Sequence, residues 1–399
     1  MEIVYRCCCG IDVHKKMIVA CLNQAGKQEL RTYGTATSDI KEMAQWLKNS
    51  GCEMIAMEST GVYWKPLYNL FEIMGLEAMV VNAAHMKALP GRKTDIKDAE
   101  WIADLLRHGL LKASYIPSRE QRELREVARY RKSLIEERAR EINRLQKMLE
   151  GANIKLDSVV SDITGKSARR LLQSIIADKQ LNEDDVLHLV NKRMIPKLGE
   201  IVKSLEGVTT PLQRRLFAQI IDHIDDMTRR IADMDDLIKD YMDQYEKAIA
   251  SIDQIPGIGR RSAEIIVSEI GLDMSRFPTD SHLCSWAGVC PGNHQSAGKQ
   301  KSGRITKGNK ALKNTLVQCA KAARNVKDSF FSAQYQKISA RRGKNRATVA
   351  VAHSMLIAIY HMLKDNVPYR DLGADYYNHF NREHKINACL KRLNALGWS

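Results

Sequence analysis

At 399 residues the chain exceeds one average domain of about 150 residues and has room for two or three folded units. Hydrophobic residues make up 44% and charged residues 27%, which excludes a disordered chain, a collagen-like repeat and a disulfide-stapled miniprotein. Lys and Arg number 62 against 47 Asp and Glu, so the net charge of +15 favours a polyanionic partner, most often nucleic acid, without choosing between DNA, RNA and anionic lipid.

The N-terminus reaches Arg6 and Asp12 without a basic leader followed by an apolar run, so secretion is not expected. Cys7-Cys8-Cys9 stand where alternate side chains of a strand point to opposite faces, and nine cysteines, an odd count, fit reduced thiols in a cytoplasm. Alternating and β-branched runs predict strands over 4–11, 17–22, 28–33, 54–57 and 78–81, and helical spacing predicts helices over 38–48, 61–74 and 95–108. Three strands in succession, then helix, strand, helix, strand and helix, is an α/β order with a hairpin meander at its start, the ribonuclease H-like one. Residues 1–118 are expected to form this domain.

Four carboxylates stand out within it. Asp12 ends the first strand in Gly10-Ile11-Asp12-Val13-His14-Lys15, and Glu58 ends another in Met57-Glu58-Ser59-Thr60-Gly61. A carboxylate in an apolar sheet is costly unless it is paired or metal-bound. Asp95 and Asp98, three apart, can project from one face of a helix's first turn. Converging hard oxygen ligands of this kind hold Mg²⁺ or Mn²⁺ for phosphodiester chemistry. Asp95 equally suits a helix N-terminus through the macrodipole, and Asp98 a surface pair with Arg92 or a lysine. An actin-like ATPase also opens on a strand ending Gly-Ile-Asp, but the phosphate-binding glycine pattern that follows there is absent here.

Over 119–250 the strand signal disappears. Ile135, Ile142, Leu149 and Leu156 recur every seven residues, and Phe217, Ile224, Ile231, Ile238 and Tyr245 interleave with Ile220, Met227, Met234 and Tyr241. Such stripes serve either a coiled coil, antiparallel or between chains, or an ordinary bundle facing a common core. Gly165, Glu183-Asp184-Asp185 and Pro196 interrupt the periodicity, so shorter helices are expected between the two series.

Residues 251–399 are basic, with the clearest helices over 310–325 and 346–363. Ile252, Ile255-Pro256-Gly257-Ile258-Gly259, Ala263 and Ile266 have the spacing of a helix-hairpin-helix, whose glycine turn offers backbone N–H groups to phosphate, with Arg260 and Arg261 adding charge. A Gly- and Lys-rich loop is expected over 291–309. Within it Ser296, among small residues, is sterically open to a bulky substrate, and Lys299, Lys301, Arg304, Lys307, Lys310 and Lys313 surround it with charge able to offset a phosphodiester under attack. Ser296 equally suits a turn cap, and Ser302 is a rival nucleophile. His282, Cys284, Cys290 and His294 lack the paired ligand spacing of a zinc site. The longest apolar stretch, 349–359, is broken by His353 and Ser354 and is shorter than the ~20 residues that span a bilayer, so no membrane crossing is expected.

Together these motifs resemble the DEDD transposases of bacterial insertion sequences, the insertion-sequence 110 family of bridge-RNA-guided DNA recombinases, over nearly the whole chain. The likeness rests on the strand ending at Asp12, on Met57-Glu58-Ser59-Thr60-Gly61-Val62-Tyr63-Trp64, on Lys93-Thr94-Asp95 through Asp98-Ala99, on the helix-hairpin-helix and on Ser296-Ala297-Gly298-Lys299. It implies an α/β plus all-α protein: a RuvC-like ribonuclease H domain (1–118), a helical coiled-coil segment (119–250) and a C-terminal helical transposase domain carrying the serine (251–399). It further implies that Asp12, Glu58, Asp95 and Asp98 bind Mg²⁺ or Mn²⁺ and that Ser296 forms a covalent link to DNA. A partner subunit would complete a composite site in a dimer or tetramer, with donor and target DNA and a bridge RNA as partners. The triple cysteine before Gly10 and the extended helical segment 157–211 depart from the family pattern. A RuvC-type structure-specific nuclease and a non-catalytic nucleic-acid-binding regulator are the competing readings.

Overall fold

Seven consecutive buried residues, Cys7–Val13, make the first strand (β1) the centre of a five-stranded sheet. The computed structural model describes residues 2–59, 61–82, 95–291, 294–296, 299–302, 305, 307–379, 386–387 and 390–392, with the side chains of 95–97, 294–296, 299–302 and 378–379 left aside. They fall into two compact units, Met1–Arg119 and Glu120–Ser399.

In the first unit β1 pairs antiparallel with β2 (Ile18–Gln24), which pairs antiparallel with β3 (Lys27–Tyr33). After α1 (Thr37–Asn49), β4 (Met54–Glu58) joins the other side of β1 in parallel, and after α2 (Trp64–Met74), β5 (Ala78–Val81) extends the sheet in parallel, giving the order β3-β2-β1-β4-β5. The strand period of two sorts the cysteines. Cys7, Cys9, Ile11 and Val13 join one core with Ile40, Met43 and Leu47 of α1 and Leu67 and Phe71 of α2. Cys8 faces the other way, in a cluster with Ile102, Leu105 and Leu106 of α3 (Asp95–Arg107). Burial pushes the Cys8 thiol up to about 12 and Cys9 well above its usual value, so these thiols stay protonated. The strand begins at Cys7 rather than Val4 because Val4 and Tyr5 donate their N–H groups to the Arg107 carbonyl, outside the ladder.

The second unit opens on α4 (Arg119–Gly151), 33 residues long. Four short helices follow: α5 (Leu156–Val159), α6 (Lys166–Ile176), α7 (Glu183–Leu189) and α8 (Leu198–Ser204). A second long helix, α9 (Pro211–Met242), starts at a capping box between Thr210 and Gln213 with proline in the first turn. Arg131 contacts Asp235, Arg138 contacts Thr228, and Leu149 shares a core with Phe217, so α4 and α9 run antiparallel. The apolar stripe of α9 is therefore covered by its own chain, with Ile231 3% and Ile238 1% exposed. Leu156 is not on the α4 stripe: the helix ends at Gly151, Asn153 turns with φ 58°, and Leu156 packs from α5. Tyr241 is exposed and Tyr245 lies past the end of α9, so the second series fades there.

Beyond α9 come α10 (Glu246–Asp253), α11 (Arg260–Ile270), α12 (Asp280–Ala287), a hairpin of β6 (His294–Ser296) and β7 (Lys299–Ser302), then α13 (Lys310–Ala323), α14 (Phe330–Arg342) and α15 (Lys344–Asp365). The hairpin corrects the expectation of a plain loop over 291–309. Among the described residues α15 alone is long and apolar enough to cross a membrane, but half of its apolar window is buried inside the unit, with Val351, Met355, Leu356 and Ile359 fully enclosed.

Candidate active site

Asp12 lies near the end of β1, 6% exposed, on the same strand face as Cys8 and Gly10. That face is covered by α3. A Cβ built on Gly10 would lie 2.3 Å from the Ala103 nitrogen and 2.3 Å from the Ala99 oxygen, so only glycine lets the helix settle on the strand. Val4 meets Arg107, Cys8 meets Ala103, and Gly10 lies between Ala103 and Ala99. The helix thus runs opposite to β1, which brings its first turn, with Asp95 and Asp98, toward the Asp12 end. On β4 the parallel register pairs Ile11 with Met57, and the next residues on the two strands are Asp12 and Glu58. Glu58 shares its strand face with Ala56, which packs in the α3 cluster.

Asp12, Glu58 and the first turn of α3, which carries Asp95 and Asp98, thus belong to one end of one unit. Asp95 is placed by its backbone as the first residue of α3, and Lys93 and Thr94 lie outside the described residues. Among the described residues no three His, Cys, Asp or Glu side chains stand close enough to hold an ion. His14, to which the sequence reading gave no role, has its Nε2 2.8 Å from Asp12 Oδ2. Its two-residue spacing from Asp12, which puts both on one side of an extended chain, was the available signal. Hard carboxylate oxygens on adjacent strand ends and a helix start are the donor chemistry that suits Mg²⁺ or Mn²⁺.

In the second unit Ser296 is the last residue of β6 and pairs with Lys299 of β7, while Ser302 at the far end of β7 pairs with His294. A bridge between Pro291 and Ile305 closes the base of this hairpin. Lys299 and Lys301 are placed by their backbone in β7, and Ala297, Gly298 and Arg304 lie outside the described residues. Lys307 and Lys310 are exposed and Lys313 is half-buried at the start of α13.

The segment after the hairpin is anchored by a buried carboxylate. Glu269 of α11 is 0% exposed, and Arg129 of α4 grips it through Nε at 2.6 Å and Nη2 at 2.8 Å. Asn309 donates Nδ2 to the same carboxylate at 2.6 Å while its Oδ1 caps α13 by accepting from the Leu312 N–H at 3.1 Å. Lys132 adds a bond to Thr315 Oγ1 at 3.0 Å, and burial holds its ammonium below the usual lysine range. The long helix, α11 and the C-terminal stem of the hairpin loop thus meet at one fully paired charge, which is what makes burying it tolerable.

Between α10 and α11 the chain turns at Gly257, whose φ of 86° and 2.5 Å approach to the Ala323 nitrogen both require glycine. Gly259 begins α11 with no side-chain cap, leaving the first backbone N–H groups without helical partners. Arg260 is held by Glu246 at 2.8 and 2.7 Å and by Glu264 at 3.2 Å, and Arg261 by Asp235. Both guanidiniums expected at phosphate thus sit in ion pairs within the unit.

A family model described as a transposase, of the DEDD type of IS110, matches residues 9–154, and one described as the transposase IS116/IS110/IS902 family matches residues 250–336. A protein of Pseudomonas aeruginosa named "Probable family 20 transposase" is 22% identical over 90% of this chain and 94% of its own length. The insertion element IS110 43.6 kDa protein of Streptomyces coelicolor is 31% identical over 29% of this chain and 28% of its own length. With one model running from the first unit into the second, another within the second, and both drawn from the same group, the chain belongs to the IS110 family of insertion-sequence transposases.

Proposed function

We propose that the chain cuts and rejoins DNA strands during transposition, using Asp12, Glu58, Asp95 and Asp98 as ligands for Mg²⁺ or Mn²⁺ and Ser296 as nucleophile. The observation that carries this reading is the placement of Asp12, Glu58 and the start of α3 at one end of a strand order 3-2-1-4-5, the order of a RuvC-like ribonuclease H domain. When bound, the cation supplies charge that offsets the phosphate oxygens under attack. His14 holds Asp12 Oδ2 in place at 2.8 Å. Ser296 Oγ forms a bond to phosphorus as the bond from phosphorus to the sugar oxygen breaks; the serine proton passes to a base and the leaving oxygen takes up a proton. Rejoining reverses this step with a different sugar hydroxyl.

The second unit divides in this reading into a helical segment (119–250), in which α4 and α9 form an antiparallel coil, and a C-terminal domain (251–399). There α10 and α11 act as a helix-hairpin-helix, Arg260 and Arg261 exchanging their Glu246 and Asp235 partners for the backbone, while Lys299, Lys301, Arg304, Lys307, Lys310 and Lys313 hold phosphates of the reacting strand. Donor and target DNA are chosen by pairing with a bridge RNA, and a dimer or tetramer brings one subunit's carboxylates to another's serine. The net charge of +15 supports polyanion binding. The test is strand transfer between labelled element-end and target duplexes with the flanking transcript. It should require Mg²⁺ or Mn²⁺, stop in chelator, and fail in Asp12→Asn and Glu58→Gln; simple hydrolysis without joined product would instead identify a structure-specific nuclease.

A further inference from the structure

The helical segment between α4 and α9 carries a cleft of about 610 Å³ that no step above uses. Its walls come from three helices, with Arg138 from α4, Lys166, Arg169 and Arg170 from α6, and Asp225 from α9. The charges do not balance. Asp225 is paired with Arg169, and Asp162 accepts from the Thr164 N–H at 2.8 Å and its hydroxyl at 2.7 Å. Those bonds keep the Asp162 carboxyl below its usual range, so both acids are satisfied within the protein. Arg138 is steadied by Thr228 at 3.3 Å. Lys166 and Arg170 are exposed, and among the described residues neither forms an ion pair. Arg169 lines the cleft as well, its guanidinium already engaged by Asp225.

We propose that this cleft binds the phosphodiester backbone of a nucleic acid. Four cations against two satisfied carboxylates favour an anion, and the exposed Lys166 and Arg170, which form no ion pair among the described residues, favour one rich in acceptor oxygens. Ile142 and Ile224 supply its apolar lining, and among the described residues no aromatic ring lines the cleft, so it offers bases no stacking surface and holds backbone without reading sequence. The site adds to the proposed function a hold on nucleic acid that shares no residue with the carboxylates or the serine, and it rests on that reading only in requiring that the chain binds nucleic acid.

The experiment uses the full chain and a fluorescent random-sequence duplex DNA, with a single-stranded RNA of matching sequence as a second probe, titrated at several salt concentrations. Lys166→Gln with Arg170→Gln leaves the Arg138 and Arg169 contacts that hold the helices together. The slope of log affinity against log salt should flatten by about 1.8 if the site takes duplex DNA and about 1.4 if it takes single-stranded RNA, since each phosphate contact contributes about 0.9 or 0.7. The probe whose slope changes identifies the source. Lys192→Gln with Arg193→Gln, exposed cations that do not line the cleft, should leave both slopes unchanged. Equal flattening in this control, or unchanged slopes in the cleft variant, overturns the site while leaving the proposed chemistry standing; absence of any salt-dependent binding by the wild type overturns both. Competition by inorganic phosphate or a nucleoside triphosphate with no effect of either polymer would make it a small-anion site and also overturn the proposal.

Discussion

Gly10→Ala should harm both stability and activity. The added methyl would lie 2.3 Å from backbone atoms of Ala99 and Ala103, where ordinary contact begins at 3.4 Å, so α3 must withdraw by roughly 1 Å. Both neighbours are backbone, and no rotamer change relieves the clash. Overpacking of this kind costs about 3 kcal/mol, near the upper end of the usual range, and lowers the Tm of a unit this size by roughly 12 °C. The same withdrawal carries Asp95 and Asp98 away from Asp12 and Glu58, and a misplacement of about 1 Å can cost about 100-fold in rate. Gly151→Ala, with nothing within 4 Å of the new methyl, is the control and should change neither quantity. Thermal unfolding and metal-dependent strand cleavage, measured on both variants below the lower Tm, give the two numbers. Wild-type cleavage in Gly10→Ala would refute the claim that the α3 approach sets the carboxylate geometry.

Asn309→Asp keeps an oxygen to cap α13 but faces Glu269 with a second carboxylate where an N–H stood at 2.6 Å; a loss on the order of 3 kcal/mol is expected by denaturant titration, whereas Asn309→Ser should lose about half of that. Burial holds the His353 imidazolium below its usual pKa of 6.5, so the unfolded chain binds the proton more readily. Stability from this group is present above 6.5 and is lost as pH falls below it, and His353→Gln should flatten Tm against pH there. Ile238→Asp places a charge at a site 1% exposed within the α4–α9 pair, and the second unit should lose about 4 kcal/mol or fail to fold; a variant with wild-type Tm that merely dissociates would show that the stripe serves another subunit instead.

The first unit was legible because four of its five strands are apolar runs, with the polar β3 following β2 across a glycine turn: all five strands fall within a few residues of their expected places. Asp12 and Glu58 were legible as strand ends and Asp95 and Asp98 as a helix start, but the reason that helix settles on the sheet lies in Gly10, whose meaning appears only once Ala99 and Ala103 are packed on it. The β6–β7 hairpin was missed because His294, Gln295, Lys299, Gln300 and Lys301 carry no alternation of apolar and polar side chains. Arg260 and Arg261 were legible as charge beside the glycine turn, but nothing local reveals that Glu246 and Asp235, 14 and 26 residues away, pair with them. Glu269 was invisible for the same reason: its partners Arg129 and Asn309 lie 140 and 40 residues away.

The most direct measurement is a denaturing gel of a reaction between the full chain, its transcript and DNA labelled on either side of the cleavage point. A covalent protein–DNA adduct should form in Mg²⁺, persist in Ser302→Ala, and vanish in Ser296→Ala and in Asp12→Asn. An adduct that survives Ser296→Ala, or joined product that forms without either Ser296 or Asp12, would contradict the shared role of the serine and the carboxylates.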